Sequence, residues 1–169
     1  STMYSKAFGD FSYDRTINKV GEKDEERFCL DIIVEDPKDL LPTLKNELLK
    51  RFVLKARVDT LLKDVQVLKI HDEVKFNAIS RSKSSDRTYF AMHGKIDQHK
   101  ITMKDFAEFL ESFGTFKSHI VDETGNNEEL DIKFSFEPEN PNSLPKILKN
   151  MGLSLNADRR KIAFLVLFE

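Results

Sequence analysis

Four histidines, His71, His93, His99 and His119, are the side chains of this sequence best suited to metal binding or proton transfer at neutral pH. A zinc site needs three or four ligands that converge on one point. No two of these histidines stand at i, i+2 or i, i+4, and the single cysteine, Cys29, is remote in sequence. No metal site and no cofactor is therefore expected. General acid–base work needs a carboxylate, imidazole or phenol held beside its partner. Asp72, Tyr89, His93 and His119 are the candidates, and each falls on or beside an expected strand, where alternation turns half of the side chains to solvent. No pair among them has a diagnostic spacing, so no catalytic residue is assigned. The six glycines open neither a Gly-x-Gly nor a Gly-Lys-Ser/Thr run, and no Gly-x-Ser-x-Gly elbow occurs.

Basic side chains raise a second possibility. Lys50, Arg51, Lys55 and Arg57 cluster near an expected helix end, where cations also complement the helix dipole. Arg81, Lys83 and Arg87 lie in a serine-rich loop, and Arg159, Arg160 and Lys161 are consecutive. These last six are the candidate nucleic-acid contacts. Aromatic residues do not interleave with them, so a stacking platform is missing. Acidic runs at residues 22–26 and 128–129 offset them, and the formal net charge is −2. Nucleic acid is possible as a partner but is not the reading preferred here.

Around these residues stands a chain of 169 residues, enough for one domain with a substantial core. At 40% hydrophobic and 33% charged it reads as globular, and fourteen phenylalanines without a tryptophan point to a core built on Phe. Cys29 lies in the apolar run 28–34 and is expected as a buried, inert thiol. No secretion signal or membrane-length apolar run is visible, which suggests a cytoplasmic or nuclear protein with no membrane partner. Ser1-Thr2 before Met3 reads as a cloning remnant. The chain ends at Glu169 directly after an apolar strand, which points to a domain excised from a longer protein.

The elements follow from periodicity. Residues 11–17 and 28–34 alternate and are expected to form an N-terminal hairpin (3–35), ahead of a core at 37–168. Leu41, Leu44, Leu48 and Phe52 mark a helix entered through Asp36-Pro37 and Pro42. Val58, Leu61, Leu62, Val65 and Leu68 fit a second helix; β-branched crowding makes a strand at 65–70 the competing reading. Residues 74–78 and 89–96 are expected as paired strands. Thr102 to Asp105 reads as a capped start for a helix carrying Phe106, Phe109, Leu110 and Phe113, closed at Gly114. Residues 115–122 and 130–136 read as a hairpin. Ser143 caps a short helix that Gly152 ends, 156–160 is a turn, and 161–168 is a final strand covered on both faces or joined to a partner.

The stretches Val74-Lys75-Phe76, Gly94-Lys95-Ile96, Met103-Lys104-Asp105-Phe106-Ala107-Glu108-Phe109-Leu110 and Asp131-Ile132-Lys133-Phe134-Ser135-Phe136 resemble the nuclear-transport-factor-2-like superfamily over residues 41–168. That resemblance implies a cone in which a curved sheet wraps helices, often dimeric through the open sheet face. The extra N-terminal strand pair and residues 138–152 depart from it. The expected fold is a single α+β domain, one curved antiparallel sheet wrapped around three or four helices. Its expected role is a non-catalytic homodimerisation or protein-interaction domain of an intracellular protein, with Phe134, Phe136, Phe164 and Val166 as interface candidates. The superfamily also contains isomerases and dehydratases, which makes catalysis in the cone interior one alternative. An RNA-associated module is the other.

Overall fold

Two strands of 16 residues organise this chain, neither of which is legible at full length from periodicity. The computed structural model describes residues 2–20, 29–113 and 116–169. It is an α+β protein in which, among the described residues, eight strands form two four-stranded sheets, not the one curved sheet expected. The elements are α1 (Thr2–Phe8), β1 (Thr16–Asn18), α2 (Leu40–Arg51), β2 (Lys55–Ile70), α3 (Glu73–Asn77), β3 (Ser80–Arg81), β4 (Thr88–Met92), β5 (Lys95–Ile101), α4 (Met103–Ser112), β6 (His119–Asp122), β7 (Leu130–Ser135), α5 (Ser143–Asn150) and β8 (Leu153–Phe168). One sheet has the order β1-β8-β2-β6 and the other β3-β7-β5-β4. By internal contacts the chain divides into Ser1–Lys63 with Arg160–Glu169, and Asp64–Arg159.

In the first unit α1 and α2 pack around Tyr4, Ala7, Leu48, Leu165 and Leu167. The Tyr4 hydroxyl donates to Leu54 O at 2.6 Å, which satisfies the polar tip of a buried ring. β1 pairs in parallel with β8, Ile17 opposite Val166. The expected N-terminal hairpin is thus replaced by a helix and one short strand. Residues 21–28 lie outside the described residues, and 29–34 carry no regular structure. Cys29 is exposed, where a buried thiol was expected.

In the second unit α4 supplies the helical face of the core. Met103, Phe106, Ala107 and Leu110 are buried with Leu68, Phe76, Ile96, Ile132 and Leu148. Its capping box forms as expected: Thr102 Oγ1 accepts from Asp105 N at 3.2 Å and Asp105 Oδ2 accepts from Thr102 N at 2.9 Å. Gly114, read as its left-handed end, is outside the described residues. α5 forms over the expected span, although Asn142, not Ser143, occupies the N-cap.

Other expectations fail. Residues 58–68 belong to strand β2, because pairing with neighbouring strands overrides an apolar spacing that both periods can fit. Residues 73–77 form helix α3, whose N-cap Asp72 accepts from Lys75 N at 3.1 Å. The turn expected at 156–160 is continuous strand within β8. β6 does not pair with β7: it runs parallel to β2, Val65 opposite His119, while β7 pairs with β5 and β3.

Candidate functional site

The sheet β3-β7-β5-β4 has two edges of different character. β3 is two residues long, and its Arg81 holds Glu128 at 2.9 Å while lying over the Phe76 ring. A short, charged edge is the usual protection against strand addition. β4 is five residues long and every one of them is exposed. Tyr89, Phe90 and Met92 are 49%, 45% and 53% exposed, so a run of large apolar groups borders backbone that, beyond β5, pairs with no other strand among the described residues.

The backbone phase of that edge follows from its turn. β4 and β5 are joined by His93 and Gly94, with φ of 49° and 75°, the signs of a type I′ hairpin. A side chain at Gly94 would stand 2.2 Å from Phe136 O, and Phe136 N donates to Gly94 O at 2.8 Å, so the turn is pinned. In a two-residue hairpin the flanking pair, Met92 and Lys95, exchanges both hydrogen bonds. Alternation then points the backbone of Phe90 and Thr88 toward β5 and that of Tyr89 and Ala91 outward. The start of β4 is fastened by Arg87, which sits over the Tyr89 ring, bonds its hydroxyl and reaches Asp105 at 2.8 Å. Burial alone would raise the Asp105 carboxyl. Hydrogen bonds from the Thr102 amide and hydroxyl, with the Arg87 charge, outweigh it and hold the group below the usual carboxylate range.

The candidate acid–base residues do not assemble. Asp72 caps α3 and pairs with Lys75 at 3.0 Å; Tyr89 is engaged by Arg87; His93 is an exposed turn residue. His119 Nδ1 lies 3.1 Å from Glu111 Oε1, a buried carboxylate that also accepts from Ile120 N at 2.7 Å. Sequence reasoning missed this pair, because Glu111 looks like a solvent-facing helix residue. It also missed the carboxylate partners of His99, whose Nε2 is 3.0 Å from Asp97 and whose Nδ1 is 3.3 Å from Asp131. Lys133 holds the Asp97 carboxyl below its ordinary range, and hydrogen bonds led by Ser82 do the same for Asp131. Those carboxylates address opposite ring nitrogens, so the three groups do not face one point. Among the described residues no group of three or more histidine, cysteine or acidic side chains could hold a metal ion.

The basic candidates are distributed over the chain. Arg81 and Arg87 hold Glu128 and Asp105, Lys83 is exposed, and Arg159 lies 3.3 Å from Asp64. Arg160 and Lys161 fall in the other unit. Arg51 and Arg57 pair with Glu47 and Asp59. The four apolar interface candidates are placed inward. Phe136, Phe164 and Val166 are buried, and Phe134 packs edge-on against Phe106 with centroids 6.3 Å apart. Phe164 to Leu167 are buried consecutively, so the C-terminal end of β8 is covered on both faces.

No helix among the described residues is long and apolar enough to cross a membrane. The architecture defines an α+β protein with two four-stranded sheets among the described residues; the sheet β3-β7-β5-β4 is antiparallel throughout, and its β4 edge pairs with no other described strand. Residues 14–168 match the model of a family described as protein of unknown function (DUF3738), and the chain belongs to that family. Comparison with curated proteins gave no match, and comparison with solved structures gave none.

Proposed function

We propose that this chain is a non-catalytic interaction domain that pairs with a second copy of itself through strand β4. The observation that carries this reading is the exposed apolar edge at Thr88–Met92, beside a β3 edge that is short and charged. The backbone of Tyr89 and Ala91 points outward, so a two-fold antiparallel pairing centred on Phe90 sets Tyr89 opposite Ala91 of the second copy twice over. Those pairs complete the outward hydrogen bonds, and Phe90 then meets Phe90 of the second copy in the close, non-bonded position, where aromatic cross-strand pairs stabilise. Exposed backbone and apolar side chains are satisfied by one symmetric contact.

Five residues bury little area, well short of the roughly 1,200 Å² typical of tight complexes. The pairing is therefore expected to be weak, with Kd on the order of micromolar or above. Sedimentation equilibrium at rising concentration tests it. A monomer–dimer equilibrium that is abolished by Ala91→Pro, which removes an outward N–H, supports the reading. A monomer at every concentration overturns it, as does a dimer that Ala91→Pro and Phe90→Arg leave intact.

A further inference from the structure

A groove of about 490 Å³ opens in the second unit, within the size range of small-molecule sites and apart from β4. Its floor is Leu148 and Leu153, both buried, and its walls are Phe116 and Leu155. Pro145, Leu148 and Lys149 stand at i, i+3 and i+4, so one face of α5 forms a side of the groove.

The polar groups that line it are Gln66, His71, Lys149 and Ser154. All four can donate a hydrogen bond, and no carboxylate is among the lining residues. Of the carboxylates near in sequence, Asp72 pairs with Lys75, with the adjacent His71 also acting on it, and Glu123 pairs with Lys69. Lys149 and His71 make no ion pair with any described residue. The groove therefore sets an ammonium and an imidazole beside an apolar trough with no acidic group in its lining. We infer that the groove binds an aliphatic carboxylate, a small molecule with its acid group against Lys149 and His71 and its hydrocarbon tail over Leu148, Leu153 and Leu155. The apolar floor selects the tail, and the donors select the sign of the head group.

Decanoate titrated into the folded chain, followed by methyl NMR of the leucines, is the test. Saturable shifts at Leu148, Leu153 and Leu155 are expected, with affinity falling roughly two- to fourfold for each methylene removed. Lys149→Gln and His71→Gln alter exposed side chains and leave the core intact; Lys149→Gln is expected to weaken decanoate about fivefold or more while leaving 1-decanol unchanged. Equal binding of decanoate and decyltrimethylammonium would overturn the inference, because the head group would then carry no information. Absence of saturable shifts at Leu148, Leu153 and Leu155 would also overturn it. So would displacement of decanoate by a leucine-rich peptide with a free C-terminus at lower concentration than decanoate itself, which assigns the groove to a chain end.

Discussion

Glu111 places one carboxylate oxygen 2.7 Å from the backbone nitrogen of Ile120 and the other 3.1 Å from Nδ1 of His119. One side chain thus ties the end of α4 to the start of β6, across a connection that includes residues outside the described set. Glu111 is 7% exposed, and a carboxylate buried that far is stable only when its oxygens are engaged.

Removing that tie has a graded cost. Glu111→Ala takes the acceptor from a buried amide and is expected to destabilise by about 1–3 kcal/mol. Glu111→Gln keeps one acceptor oxygen and is expected to cost less. Urea denaturation of both variants measures this, and equal losses would contradict the assigned bond.

Acid sensitivity should trace partly to Asp105. Its folded carboxyl is held below the ordinary value, so the unfolded chain binds its proton first as pH falls from neutral. The stabilisation is complete above the unfolded pKa of about 4 and is lost as pH drops through the lower folded value. Asp105→Asn is expected to flatten the acid limb of a stability-against-pH curve below about pH 4. An unchanged limb would place the acid dependence elsewhere, with Asp97 and Asp131 the next carboxylates to replace.

Two glycines give a matched comparison. Gly152 and Gly125 both have positive φ, 79° and 70°, but a side chain at Gly152 would stand 2.2 Å from Asp72 O and 2.7 Å from Phe76 N. Nothing lies within 4 Å of one at Gly125. Gly125→Ala should cost only the conformational strain, about 1 kcal/mol. Gly152→Ala should cost more than about 3 kcal/mol, since backbone must move as well. Thermal melts that show equal losses would contradict the close approach of α3.

Gln98 is fully buried on β5, and neither its amide oxygen nor its nitrogen has a hydrogen-bond partner. Replacing it with methionine keeps the volume and removes two unpaired polar atoms. Gln98→Met is expected to stabilise by about 1–3 kcal/mol in urea denaturation. A loss of stability would contradict the burial assigned to this position.

What the sequence disclosed was local. The capping box at Thr102 and Asp105, the stripe from Phe106 to Leu110 and the helix ended by Gly152 all depend on residues within two turns of each other. What it concealed was long-range pairing. Val58 to Leu68 fits a helical spacing, yet β8 and β6 flank that segment and hold it extended. Val74 and Phe76 look like alternation, yet Asp72 caps a helix there, with Val74 exposed and Phe76 buried. The interface candidates meet the same limit: apolarity singled out Phe134, Phe136, Phe164 and Val166, but which strand lies at a sheet edge depends on neighbours far away in sequence. Tyr89 and His93 drew notice as chemistry. Their place is beside Phe90, on the edge and in its turn.

Disulfide capture gives the most direct test of pairing through β4. Exposed Cys29 is first replaced by serine, and a single cysteine is then placed at Phe90 or at Tyr89. In the two-fold register residue 90 faces itself across a non-hydrogen-bonded pair, about 4.5 Å between Cα atoms, which a disulfide can span. Residue 89 faces residue 91. Mild oxidation of Phe90→Cys is expected to give a crosslinked dimer at micromolar concentration, and Tyr89→Cys to remain largely monomeric. Equal crosslinking of the two variants, or none at Phe90→Cys, would contradict self-association along this edge.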